Sequence, residues 1–199
     1  IAIVAANGKT LRAWLREAPT VLPGNARQQG AAALVVHGWG GNATDMLPVS
    51  EPLLDAGLHV LLLDVRGHGR SDDADLTSMP TFAEDISAAL DWLRTQPQVD
   101  PARIVLVGHS VGAGACLFVA AGDPAVAAVI SLASMADPEA FMSRRLRRRL
   151  PGPLTAFALR FVEHAIGHRF AEFAPVHTIG QPRAPVPLLP GQRDTPIPL

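Results

Sequence analysis

Five residues, Gly108-His109-Ser110-Val111-Gly112, follow the apolar run Ile104-Val105-Leu106-Val107 and precede the small residues Ala113-Gly114-Ala115. This spacing puts a serine on a tight strand-to-helix turn, because a side chain at either flanking glycine would collide with neighbouring backbone where the chain reverses. A serine hydroxyl is a weak nucleophile until a base takes its proton, so Ser110 as nucleophile calls for a histidine and an acid elsewhere in the fold. Three histidines, His37, His68 and His109, lie inside glycine-rich motifs, and four, His59, His164, His168 and His177, lie outside them. His164 and His168 have metal-ligand spacing, but no third ligand or glutamate in register accompanies them, so no metal site is expected. Cys116, on the helix after Ser110, has no basic neighbour in sequence and reads as a small buried hydrophobe rather than a reactive thiol.

The elements that must position these groups follow from the apolar pattern. Ala31 to Val36, Val60 to Leu63 and Ile104 to Val107 are continuous apolar runs followed by glycines, which is how strands buried on both faces read. Between them lie helical stretches, Asp45 to Asp55 and Phe82 to Thr95, the second with Ile86, Leu90 and Leu93 at helical spacing. Asp100-Pro101 is expected to break the chain before the third run. Strand, helix, strand, helix, strand implies right-handed crossovers and a mostly parallel sheet with helices on both faces. Upstream, Ile1 to Val4 and Leu11 to Leu15 flank Asn7-Gly8, which predicts an antiparallel hairpin closed by a type I′ turn. Pro19 to Gly30 is a Pro/Gly/Gln-rich connection. A further strand is expected over Val126 to Leu132, and a short one over Val186 to Leu189. The segment 136–174 interrupts the rhythm. Leu154, Phe157, Ala158, Phe161, Val162, Ala165 and Ile166 share one face of an amphipathic helix, and the segment is expected to be a cap-like insertion over a pocket.

Three motifs stand in order along the chain: His37-Gly38-Trp39-Gly40-Gly41, Asp64-Val65-Arg66-Gly67-His68-Gly69-Arg70-Ser71, and Gly108-His109-Ser110-Val111-Gly112. Together they resemble the α/β-hydrolase superfamily, closest to the branch of serine aminopeptidase-like and monoacylglycerol-lipase-like hydrolases, over essentially the whole chain. The resemblance implies an α/β-hydrolase fold in a single domain, 1–199. It implies that the backbone N–H groups of Trp39 and Val111 form the oxyanion hole, two preorganised donors aimed where carbonyl charge develops. The Trp39 indole either lines a substrate pocket or is a packing residue. Pro187-Leu188-Leu189-Pro190-Gly191-Gln192-Arg193-Asp194 resembles the family's strand-then-acid segment and makes Asp194 the residue that orients the histidine; the alternative is a surface turn aspartate. Pro187 and Pro190 depart from that pattern, since a strand proline donates no ladder hydrogen bond. By the same resemblance His37, His68 and His109 are turn or packing positions, and the catalytic histidine belongs on a loop after one more strand. No histidine follows Asp194. The chain therefore reads as C-terminally truncated, without the last strand and helix, and with an exposed sheet edge that favours self-association.

The activity so implied is cleavage of an ester, or of an amide or short peptide, through an acyl-enzyme, with a small-molecule ester or short peptide as partner and no cofactor. The alternative is a non-catalytic truncated product or a binding or scaffolding domain, because losing a triad histidine costs roughly a million-fold in kcat. Composition narrows the rest. The chain has 199 residues, 48% hydrophobic and 18% charged, with a formal net charge of -1, which suits one core and gives no global reason for nucleic-acid binding. One cysteine excludes an intrachain disulfide and, with no signal segment at the start, suggests a cytoplasmic setting. No apolar run approaches about 18 residues. The chain opens on Ile1 rather than Met, consistent with a fragment or a processed form. Arg144, Arg145, Arg147, Arg148 and Arg149 form a solvated cationic face or, alternatively, a contact for an anionic group or membrane surface.

Overall fold

The computed structural model describes residues 1–19 and 29–190. Its elements in chain order are β1 (Ala2–Val4), β2 (Thr10–Arg16), β3 (Gly30–Val36), a 3₁₀ turn (Ala43–Met46), α1 (Leu47–Asp55), β4 (His59–Asp64), α2 (Met79–Arg94), β5 (Val99–His109), α3 (Val111–Gly122), β6 (Ala128–Leu132), α4 (Pro138–Arg147), α5 (Gly152–Ile166), α6 (Phe170–Phe173), α7 (Pro175–Thr178) and β7 (Leu188–Leu189). They form one seven-stranded sheet in the order β1-β2-β4-β3-β5-β6-β7. β1 and β2 run antiparallel, and every pairing from β4 to β7 is parallel.

The continuous apolar runs have a simple cause. Successive strand side chains point to opposite faces, and here both faces are covered. In β3, Ala32, Leu34 and Val36 join the core beneath α2 and α3, whereas Ala33 and Val35 join a second core with Met46 and Leu54. Residues Ala32 to Val36 and Val60, Leu61 and Leu63 are wholly buried. α2 begins earlier than its apolar spacing indicates, at Met79, because Ser78 and Thr81 form a reciprocal capping box ahead of it.

Three local expectations are corrected. The first hairpin does not close on a type I′ turn. Asn7 is not in the left-handed region; only Gly8 is, at φ 78°. Gly8 N–H donates to Ala5 O and Ala5 N–H to Lys9 O, both at 2.9 Å, so the connection is the longer Ala6–Gly8 loop with a single left-handed glycine. Asp100-Pro101 does not precede β5 but lies within it. The strand absorbs the pair through a register shift against Gly30 and Ala32 of β3. On α5 the packed face is that of Thr155 and Leu159 together with Val162 and Ile166 of the expected apolar face, while Leu154, Phe157 and Phe161 of that face are exposed.

Candidate active site

Ser110 stands between the last residue of β5 and the first of α3, with φ 53° and ψ −116°. A non-glycine residue holds such a conformation only where its surroundings dictate it. Ser110 N–H donates to Leu132 O of β6 at 2.9 Å, and Ser110 O accepts from Ala113 and Gly114 N–H at 3.1 and 3.2 Å. Both flanking glycines allow close approach. A Cβ on Gly108 would sit 2.5 Å from the backbone of Ala113, and one on Gly112 would strike the His37 carbonyl oxygen. The turn is therefore tight because helix α3 begins directly against β5 and the end of β3. Ser110 is the N-cap of α3, yet its side chain makes no capping bond. Its hydroxyl is left to the groove, at the positive end of a twelve-residue helix.

The groove at Ser110 has a volume of about 480 Å³, and its walls include Gly38, Trp39, Gly41, Met46, His109 and Leu132. The His37-Gly38-Trp39-Gly40-Gly41 loop closes on itself through Gly41 N–H to Gly38 O at 3.1 Å, with Gly40 at φ 71°. Gly38 approaches the serine turn so closely that a Cβ there would lie 2.9 Å from His109 Nδ1 and 3.2 Å from Ser110 Cβ. Trp39 is 59% exposed. Its ring lines the groove and also stacks on Phe82, with centroids 6.4 Å apart and planes 5° from parallel. Val111 follows Ser110 as the first residue of α3 and is buried. Ser110, Trp39 and Val111 are thus brought to one place. Asp194 lies outside the described residues. The segment 136–174 contributes no residue to this groove.

A hydrogen-bonded frame holds the Trp39 loop. His37 is 1% exposed; Val65 N–H donates to its Nε2 at 3.3 Å, and its Nδ1 lies 2.7 Å from Gly38 O. With Nε2 an acceptor, the proton sits on Nδ1 and donates to Gly38 O, so both nitrogens of a neutral ring are used. Burial lowers the His37 pKa below its ordinary value, against the opposing pull of the Gly38 carbonyl. Gly40 N–H donates to His68 Nε2 at 3.1 Å, and His68 Nδ1 lies 3.1 Å from Arg66 O. Asp64, at the end of β4, accepts Ala43 N–H at 2.7 Å and Arg70 N–H at 2.8 Å, which ties the 3₁₀ turn to the Arg66–Ser71 turn. Gly69 is required there, since a Cβ would overlap the Asp64 carboxylate.

Beneath this frame lies an ion pair that the motif reading passed over. Asp85 Oδ1 accepts from Arg66 Nε at 2.7 Å and is ion-paired with Nη2 at 2.5 Å, and Oδ2 accepts Arg66 N–H at 2.7 Å. The Asp85 side chain is fully buried. Burial pushes the Asp85 carboxyl pKa up, and the Arg66 bonds pull against that shift. Burial also works against the Arg66 charge, but Asp85 and Glu84 outweigh it and hold the guanidinium above its ordinary value. The available signal was Asp85 itself, a carboxylate beside Ile86 on the apolar stripe of α2. Elsewhere, His168 pairs with Glu172 at 3.1 Å, and burial raises the Cys116 thiol pKa well above its usual range. Among the described residues no group of three or more His, Cys, Asp or Glu could hold a metal ion, and no helix is long and apolar enough to cross a membrane.

Known proteins resemble this arrangement. The chain is 35% identical over 130 residues to a thiohydrolase of Arthrinium phaeospermum, covering 63% of the chain and 42% of that relative. It is 32% identical over 142 residues to a polyketide transferase of Penicillium sp., covering 70% of the chain and 46% of the relative. The chain thus spans less than half the length of these curated relatives. Among solved structures it resembles an esterase of Pyrococcus furiosus, with a TM-score of 0.69 at 21% identity over 94% of this chain and 67% of that one. It also resembles an acetyl xylan esterase from Paenibacillus sp. R4, with a TM-score of 0.68 at 20% identity over 94% of this chain and 66% of that one. At these identities the structural likeness is one of fold. The match that decides the family covers most of the sequence: residues 33–198 fit the model of the alpha/beta hydrolase family, and the chain belongs to that family.

Proposed function

We propose that the chain carries the nucleophile and oxyanion-binding parts of a serine hydrolase that cleaves carboxylic esters or thioesters through an acyl-enzyme. The observation that carries this reading is Ser110, a non-glycine residue at φ 53° whose hydroxyl makes no capping bond and which borders the groove of the Trp39 loop. In this reading the Ser110 Oγ attacks the substrate carbonyl carbon and loses its proton to a histidine. The carbonyl oxygen gains the charge and is held by the Val111 and Trp39 N–H groups. Collapse of the tetrahedral adduct expels the alcohol or thiol, which takes the proton from the histidine, and water repeats the cycle in reverse. Asp194 is assigned the orienting of that histidine. The thioester is included because a thiohydrolase is among the relatives.

The base is assigned to a histidine outside these 199 residues. Of the seven histidines, only His37 and His109 border the Ser110 groove. His37 has both nitrogens engaged, and His109 sits on the strained turn next to Ser110 itself. The test supplies the base from solution. Imidazole added to the 199-residue chain should accelerate release of p-nitrophenol from p-nitrophenyl butyrate beyond the imidazole background, and Ser110→Ala should abolish the excess. No Ser110-dependent excess at any imidazole concentration contradicts the reading.

A further inference from the structure

On the opposite side of β6 from the Trp39 loop lies a second cavity, of about 380 Å³, at the C-terminal ends of β6 and β7. Leu117 of α3, Val176 and Ile179 at α7, and Leu188 of β7 give it an apolar wall. Two hydroxyls interrupt that wall. Ser131 and Ser134 both line the cavity, and among the described residues neither Oγ has a hydrogen-bond partner. Ser131 is 1% exposed, and its backbone N–H donates to Pro187 O at 3.1 Å within the sheet. A hydroxyl offers one donor and two acceptor positions, and leaving it buried without a partner is unfavourable. Two such hydroxyls on one apolar cavity match the general make-up of a small-molecule site, a hydrophobic enclosure with few polar groups that fix orientation.

The cavity adjoins the nucleophile along β6. Ser110 N–H is bonded to Leu132 O at 2.9 Å, and Leu132 stands between the cavity residues Ser131 and Ala133. Ala133 takes φ 47°, turning the chain off the sheet at the edge where Ser110 stands. Leu132 itself lines the Trp39 groove, on the other face of the strand. Ser110 borders the Trp39 groove and is joined by that bond to the strand that walls the cavity, so a two-part substrate held at Ser110 has a recess on either face of β6.

We propose that this second cavity is the acyl subsite, and that it selects an acyl group whose apolar body carries a hydroxyl or carbonyl oxygen to pair with Ser131 and Ser134. The assignment to the acyl half rests on Ser110 being the nucleophile; the existence of the binding site does not. The acyl oxygen takes a hydrogen bond from one serine or gives one to it, and a plain alkyl chain leaves both hydroxyls unpaired. Selectivity of about tenfold is expected, equivalent to about 1.4 kcal/mol.

The test is calorimetric titration of the chain with octanoate, 3-hydroxyoctanoate and 5-hydroxyoctanoate. At least one hydroxy acid should bind about tenfold more tightly than octanoate. The Ser131→Ala/Ser134→Ala variant should lose that preference with octanoate affinity unchanged, and should melt no lower than the parent because neither hydroxyl has a partner to lose. Equal binding of all three acids overturns the proposal, as does a preference that survives the double substitution. The imidazole-supported, Ser110-dependent release of p-nitrophenol, measured beside the titration, separates the two readings. Selective binding by a chain whose Ser110 never reacts keeps the site and ends its assignment to the acyl half, whereas a reactive Ser110 without selective binding ends the subsite alone.

Discussion

Replacing Arg66 by methionine should expose how much of the fold around the Trp39 loop depends on one buried charge. The substitution keeps an apolar stem of similar reach and removes the Nε donor and the Nη2 ion pair to Asp85, leaving only the backbone N–H of residue 66 at 2.7 Å. Asp85 has no exposed side-chain surface, so its charge cannot be taken up by water. Removing one partner of such a pair costs about 3 to 5 kcal/mol. The second carboxylate on Arg66, Glu84, lies 3.0 Å away but is 59% exposed, and its loss adds little. For a domain of this size each kcal/mol lowers the melting temperature by about 2 to 4 °C, which gives a fall of roughly 6 to 20 °C. The sign of the pH dependence is also fixed. Burial raises the Asp85 pKa in the folded state, so the protonated form is the one that folding favours, and removing Arg66 removes what opposes that shift. Stability of Arg66→Met should therefore be greater in mild acid and fall as pH rises through the raised pKa. Urea unfolding followed by circular dichroism at pH 4.5 and 7.5 reads both effects. Arg66→Met/Asp85→Leu, which leaves no charge behind, should be more stable than Arg66→Met at pH 7.5. The reasoning fails if Arg66→Met unfolds within about 1 kcal/mol of the parent, or if the double variant is no better than the single one.

Other outcomes follow from the same geometry. Gly112→Ala should prevent α3 from seating against the His37 carbonyl, which would show as loss of the cooperative thermal transition; a melt within a few degrees of the parent would contradict the close approach. His37 folds neutral with a lowered pKa, so its contribution to stability is complete above about pH 6.5 and lost as pH falls towards the folded value, at up to about 1.4 kcal/mol per pH unit. His37→Asn should flatten that part of the stability profile in urea titrations between pH 7 and 5. His68→Phe removes the acceptor for Gly40 N–H. It also removes the Nδ1 contact to Arg66 O, so it should slow imidazole-supported ester release by about tenfold while the melting temperature falls by no more than about 4 to 8 °C, two hydrogen bonds being worth about 1 kcal/mol each.

The central sheet was legible because its strands are buried on both faces: Leu34 and Val35 point into different cores, and nothing polar interrupts β3 or the Val60 to Leu63 run of β4. The serine turn was legible because Gly108 and Gly112 are demanded by backbone contacts that admit no other residue. What escaped depends on choices that local pattern leaves open. Asn7-Gly8 permits a type I′ turn, but the pairing of Ala5 with Lys9 fixes a longer loop. Asp100-Pro101 breaks most strands, yet a register shift against β3 accommodates it. α5 has apolar residues around more than half its circumference, so periodicity alone did not choose Thr155 and Leu159 over Phe157 and Phe161. The role of Asp85 needed the fold, because its partner Arg66 sits nineteen residues away across a turn. The unpaired hydroxyls of Ser131 and Ser134 left no trace in sequence, since an unsatisfied bond is a property of surroundings.

The central claim is that Ser110 is a preorganised nucleophile awaiting a base. It is tested most directly by the rate at which a fluorophosphonate labels the 199-residue chain at pH 7.5, with and without imidazole, with the labelled residue located by peptide mass spectrometry. The account predicts slow labelling that imidazole accelerates, confined to Ser110 and absent in Ser110→Ala. Rapid labelling without imidazole would mean that a base already sits within these residues, and no labelling of Ser110 with imidazole present would mean that it is not the nucleophile.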